Sequence, residues 1–160
     1  MTARPPGDDS SARRYCFNLL ARRPYSRGEL RQRLDRRGYH QETVEVTLGF
    51  LEERRLVDDR EFGRQFVQSR LTGKPAGRRY FQFHLERRGL DRALAGEVVD
   101  DILPPEREEA LAREMAGRLC LDSTNGRRKA YRTLLRRGFP HDVSRRAMGR
   151  VLESEDPEPL

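Results

Sequence analysis

The chain has 160 residues, 35% apolar and 37% charged, which allows thin helix-pair layers and excludes a thick single core. Its net charge is +7, and all but two of its 33 basic residues are arginine, the side chain suited to bidentate contact with phosphate or carboxylate. No apolar run approaches the ~18 residues of a membrane span, and the N-terminus lacks an apolar signal-peptide core, so a cytoplasmic protein with no membrane partner is expected.

Residues 1–9 carry Pro5, Pro6 and Gly7 and are expected to form a disordered lead. A first helix is expected from about Ser10 to Arg23, burying Ala12, Cys16, Leu19 and Leu20 and stopped by Pro24. Ser26-Arg27-Gly28-Glu29 reads as a capping box opening a second helix, which buries Leu30 and Leu34 and closes at Gly38. Val44, Leu48 and Leu51 mark a third. Asp58, with Glu61 three residues on, caps a fourth, whose apolar face is Phe62, Phe66, Val67 and Leu71. Thr72 to Gly77 is the most flexible internal segment by composition. The fifth helix carries Phe81 and Leu85 and ends at Gly89. The sixth, opened by Asp91, carries Ala95, Val99 and Ile102. Pro105 with Glu106, Glu108 and Glu109 starts a seventh, its acids complementing the helix dipole and its apolar face marked by Leu111, Met115 and Leu119. An eighth runs from near Thr124 to Arg137. The ninth starts at Pro140 with Val143, Ala147, Met148 and Val151 inward, before an acidic tail, residues 154–160, expected to fray. Cys16 and Cys120 fit no metal-ligand spacing and are expected as reduced core residues.

One hexapeptide organises these elements. Leu34-Asp35-Arg36-Arg37-Gly38-Tyr39 returns as Leu85-Glu86-Arg87-Arg88-Gly89-Leu90 and as Leu134-Leu135-Arg136-Arg137-Gly138-Phe139. In each copy a left-handed glycine would close a helix with a hydrophobic contact across it, the chemistry of a Schellman cap. Ten and thirteen residues beyond each glycine stand Leu48, Val99 and Met148, then Leu51, Ile102 and Val151, so the repeat extends past the caps. The expected fold is all-α: nine helices as three tandem helix-turn-helix-like modules, residues 10–57, 58–103 and 104–153, in an elongated array.

Charge concentrates on the middle helices. The thirteen-residue windows ending at Gly38, Gly89 and Gly138 carry +3, +3 and +6, leaving the rest of the chain at −5. Arg37, Arg88 and Arg137 fall at the shoulder of the apolar face, with mostly structural roles. Arg36, Arg87 and Arg136 point outward, and Arg128, Lys129, Arg132 and Arg136 form an outward stripe in a window that holds no acid. With Arg78, Arg79 and Arg127 these are the candidate partner and DNA contacts.

An enzyme is not supported: His40, His84 and His141 fall in different modules, and there is neither a nucleophile elbow nor a phosphate-cradling loop. Asp100, Asp101, Glu106, Glu108 and Glu109 invite a metal reading that helix-dipole complementation makes unnecessary. The alternative to a protein-binding array is a sequence-tolerant helical DNA binder. A base-reading helix should offer Asn, Gln or Ser beside arginine, and the outward face from Arg128 to Arg136 has almost none.

Leu19-Leu20-Ala21-Arg22-Arg23 with Ser26-Arg27-Gly28-Glu29-Leu30, Val57-Asp58-Asp59 through Phe62, Phe66 and Arg70, and the third hexapeptide together resemble the RecX family of recombination regulators. The likeness covers about residues 12 to 153. It implies a monomer without catalysis or cofactor that binds the RecA–single-stranded DNA filament and restrains its growth, ATP hydrolysis and strand exchange, with single-stranded and duplex DNA as further candidate partners. The second module departs from the family pattern: Arg78 stands for a proline, Tyr80 for a basic residue and His84 for a glutamate.

Overall fold

The computed structural model describes residues 8–120 and 124–153. Among them there is no strand, and nine helices follow in order: α1 (Asp9–Leu20), α2 (Arg27–Arg36), α3 (Gln41–Glu53), α4 (Asp59–Gly73), α5 (Arg78–Arg87), α6 (Arg92–Ile102), α7 (Pro105–Cys120), α8 (Thr124–Arg136) and α9 (His141–Glu153). The residues before 8 and after 153, and the side chains of Cys120 and Val151, lie outside the described residues.

The glycine caps form as the hexapeptide requires. Gly38, Gly89 and Gly138 have φ of +80, +86 and +81°. The N–H groups of Tyr39, Leu90 and Phe139 donate back to the carbonyls of Leu34, Leu85 and Leu134 at 3.3, 3.1 and 3.1 Å. Each glycine N–H donates to the carbonyl three residues earlier, completing the Schellman pair. A fourth ending of this kind closes α3 without glycine. Leu56 N–H donates to Leu51 at 2.9 Å, and Arg55 takes the left-handed position at φ +54°.

Three hydrophobic clusters follow, each from three consecutive helices. Leu30, Leu34, Val44, Leu48 and Leu51 centre the first; Phe81, Leu85, Val98 and Val99 the second; Leu134, Phe139, Ala112 and Ala116 the third. In the first two, α3 and α6 bridge the other pair, and in the third all three helices pack on one another. Cys16 lies fully inside the first cluster, where burial pushes its thiol up to about 11.

Several expectations need correction. Asp8 and Asp9, assigned to the lead, open α1, Asp8 accepting the Ser10 N–H at 2.9 Å. That helix stops at Leu20, short of Arg23, because Pro24 disfavours the helical region for its predecessor. The capping box at Ser26 is half formed: Ser26 accepts the Glu29 N–H at 3.1 Å, but the Glu29 carboxylate turns to Arg23 and Arg88. The buried row of α7 is Glu108, Ala112 and Ala116, with Leu111, Met115 and Leu119 on its shoulder, because small residues let α7 approach both α8 and α9. The segment expected to be most flexible is partly helical through Gly73, and its end is hydrogen-bonded to the third cap.

Candidate partner interface

The middle helices meet end to end. The start of α2 sits on the cap of α5: a Cβ on Gly28 would lie 2.6 Å from the Gly89 Cα, Ser26 Oγ donates to the Arg88 carbonyl, and Arg27 N–H donates to Asp59 Oδ1 at 2.7 Å. The start of α5 repeats this on the cap of α8. A Cβ on Gly77 would lie 2.5 Å from the Phe139 Cα, Gly77 N–H donates to the Arg137 carbonyl at 2.9 Å, and Arg78 N–H donates to Glu108 Oε1 at 2.7 Å. In both joints a carboxylate of the next module accepts a free N–H of the helix start, while the next cap's carbonyls accept from the Ser26 hydroxyl in the first joint and from the Gly77 and Arg79 N–H groups in the second. Gly38, on α2's outer end, has nothing within 4 Å of a would-be Cβ.

These joints correct one candidate contact. Arg78 occupies the first turn of α5 as Arg27 does in α2, and its guanidinium is spent inside the protein on Glu108 at 2.7 Å and Asp100 at 2.8 Å. Burial alone would lower its pKa, but hydrogen bonding and charge from Glu108, with Asp100, more than offset that and hold it above its ordinary value. Arg78 therefore leaves the candidate set. The metal-like acids are ion-pair partners as well as dipole complements: Asp100 and Glu108 for Arg78, Asp101 for Arg60, and Glu109 for Arg146. No group of three or more His, Cys, Asp or Glu among the described residues could hold a metal ion.

The shoulder arginines behave structurally. Arg37 lies 4.2 Å from the Tyr15 ring centre, Arg88 lies 5.1 Å from that of Phe66, and Arg137 donates to the Pro75 carbonyl at 3.2 Å. The family departures in α5 also make local sense. Tyr80 lies where a Cβ on Gly138 would meet it, and its ring centre is 4.2 Å from that of His84. Burial, then the charges of Arg87, Arg70 and Arg88, lower the His84 pKa.

Arg36, Arg79, Arg87, Arg127, Arg128, Lys129, Arg132 and Arg136 are all exposed, and among the described residues none has a carboxylate oxygen within 4.0 Å. Arg87 rests over the Phe83 ring at 5.5 Å. Arg79 N–H donates to the Gly138 carbonyl at 3.1 Å, placing Arg79 beside the end of α8 that carries Arg136. The α8 stripe divides. Arg128 and Arg132 join Arg127 and Tyr131 in facing Arg145, Met148 and Gly149 of α9 across an open groove of about 490 Å³, which Lys129 and Arg136 do not line. Tyr131 and Arg145 were absent from the candidates drawn from sequence. Tyr131 stands four residues from Arg127 and three from Arg128, a spacing that could have flagged it, whereas Arg145 depends on how α9 packs.

The architecture defines an all-α protein of successive three-helix units, joined cap to helix start, with a basic face on the last of them that no carboxylate among the described residues pairs. None of its helices is long and apolar enough to cross a membrane among the described residues. Residues 12–51 match the first three-helix domain of RecX and residues 58–99 the second. The regulatory protein RecX of Amycolatopsis mediterranei is 34% identical over 138 residues, 83% of this chain and 78% of that protein. The regulatory protein RecX of Chlorobium limicola is 31% identical over 146 residues, 91% of this chain and 92% of the relative. The crystal structure of RecX from Lactobacillus salivarius shares the fold with a TM-score of 0.82 at 18% identity, covering 91% of this chain and 97% of that one. The chain belongs to the RecX family of regulatory proteins.

Proposed function

We propose that this chain is a non-enzymatic regulator of homologous recombination and the SOS response that binds the RecA–single-stranded DNA filament and restrains its growth, ATP hydrolysis and strand exchange. Family membership supports the partner. The observation that carries the reading is the face of α8, where exposed arginines and Lys129 have no carboxylate within 4.0 Å among the described residues. Charges left unpaired by the described residues suit an anionic surface, and a protein-coated single strand can offer phosphates and carboxylates together. The proposed contacts are Arg36, Arg79, Arg87, Arg127, Arg128, Lys129, Arg132 and Arg136, acting from a cytoplasmic monomer.

The test is binding of labelled protein to preassembled filaments by anisotropy. Arg132→Glu with Arg136→Glu should weaken binding at least ~10-fold with helicity intact, because reversed exposed charges cost contact and little packing. Unchanged binding would remove the α8 face from the interface.

A further inference from the structure

We propose that the groove between α8 and α9 holds one unstacked base of a single-stranded nucleic acid on Tyr131, while its four arginines hold the flanking phosphates. The proposal rests on the filament reading for the presence of a strand, and adds which face meets it and by what chemistry.

The groove combines features that phosphate contact alone does not need. Its α8 wall presents the Tyr131 ring, and its α9 wall presents Met148 and Gly149. A would-be Cβ on Gly149 meets nothing within 4 Å, so the α9 wall is open at that turn. Around this apolar floor stand Arg127, Arg128, Arg132 and Arg145. A nucleotide has the same pattern, with a flat apolar base face and anionic groups at its edge, and single-strand binders use aromatic platforms within basic channels for that reason.

Charge pairing on α9 points the same way. Arg146 pairs with Glu109 at 3.2 Å and with Asp142 at 3.2 Å, while its neighbour Arg145, on the groove, has no carboxylate within 4.0 Å among the described residues. Among the described residues, acids stand on and beside α9 and none lines the groove. The Tyr131 hydroxyl lies 3.2 Å from His141 Nδ1, which holds the ring edge before any ligand arrives and lowers the ordering cost of stacking. Among the described residues no Asn, Gln or Ser lines the groove, so base faces are gripped without base edges being read. An acidic peptide would satisfy the arginines but leave the Tyr131 and Met148 floor unused.

The experiment compares two labelled strands of equal length and phosphate count, oligothymidylate and a fully abasic chain, against the full-length protein. Wild type should bind oligothymidylate on the order of tenfold more tightly, the worth of one stacked base. Tyr131→Phe should keep that preference and Tyr131→Leu should remove it, with helicity confirming that each variant folds, while Arg145→Glu should weaken both strands alike. Without any variant, 2-aminopurine in the strand should lose fluorescence on binding as it stacks. Equal affinity for the two strands, no change in 2-aminopurine emission, or a preference that survives Tyr131→Leu in folded protein would overturn the proposal. Arg145→Glu that spares bare strands but weakens binding to RecA-coated strands would make the groove a peptide site, sinking this proposal while leaving the filament reading standing. Base-dependent binding to bare strands with no binding to coated ones would do the reverse.

Discussion

Arg78 donates both its backbone N–H and its Nε–H to the carboxylate of Glu108, each at 2.7 Å, and the Glu108 side chain is only 1% exposed. The two residues are 30 apart in sequence and fasten the second module to the third. Removing Glu108 takes the acceptor from the Arg78 backbone N–H, and removing the Arg78 side chain leaves the buried Glu108 carboxylate without its charge partner, either of which is costlier than the pair is worth. Glu108→Ala and Arg78→Ala should each lower stability by about 2–4 kcal/mol in urea unfolding. A loss under about 0.5 kcal/mol, the range of ordinary surface changes, would show that the joint does not depend on this pair.

The cap glycines should not be equivalent. Gly38 is left-handed but open, so Gly38→Ala should cost only the backbone term, about 1–2 kcal/mol. Gly138 is left-handed and lies against the Tyr80 backbone, so Gly138→Ala adds a clash to the same strain and should lower the melting temperature further. Equal losses at the two sites would mean that the joint adjusts freely.

Arg55 carries left-handed strain where the other caps use glycine. Arg55→Gly should raise stability by about 1 kcal/mol, read as a higher urea midpoint. A lower midpoint would mean that the arginine side chain contributes more than the strain costs.

His84 gives a pH dependence with a definite sign. Its folded pKa lies below the ordinary value of 6.5, so as pH falls through that value the unfolded chain takes the proton first. Stability should therefore decline on acidification across this window, and His84→Gln should flatten the decline in melts taken on either side of pH 6.5. A dependence unaltered by the substitution would place its origin elsewhere.

Local chemistry was legible from sequence, and chemistry shared between modules was not. Gly38, Gly89 and Gly138 announce their caps because donor, acceptor and hydrophobic pair all lie within six residues. The outward direction of Arg36, Arg87 and Arg136 follows from helical period alone. Arg78 looks equally available by that rule, yet Asp100 and Glu108 reach it only once α6 and α7 are in place. Size alone favours Leu111 and Met115 over Ala112 and Ala116 as the buried row of α7, whereas the close approach of α7 to two helices selects small side chains. The groove is not legible in the sequence because Tyr131 and Arg145 become neighbours only through the pairing of α8 with α9.

The most direct measurement is ATP hydrolysis by RecA filaments assembled on single-stranded DNA before the protein is added, using the recombinase of the same organism. Coated DNA offers few free phosphates, so slowing cannot come from competition for bare strand. The account predicts that wild-type protein slows hydrolysis, and that Arg132→Glu with Arg136→Glu, folded to the same helicity, does not. Undiminished hydrolysis at saturating wild-type protein, with binding to bare single strands intact, would contradict it and leave a sequence-tolerant nucleic-acid binder in its place.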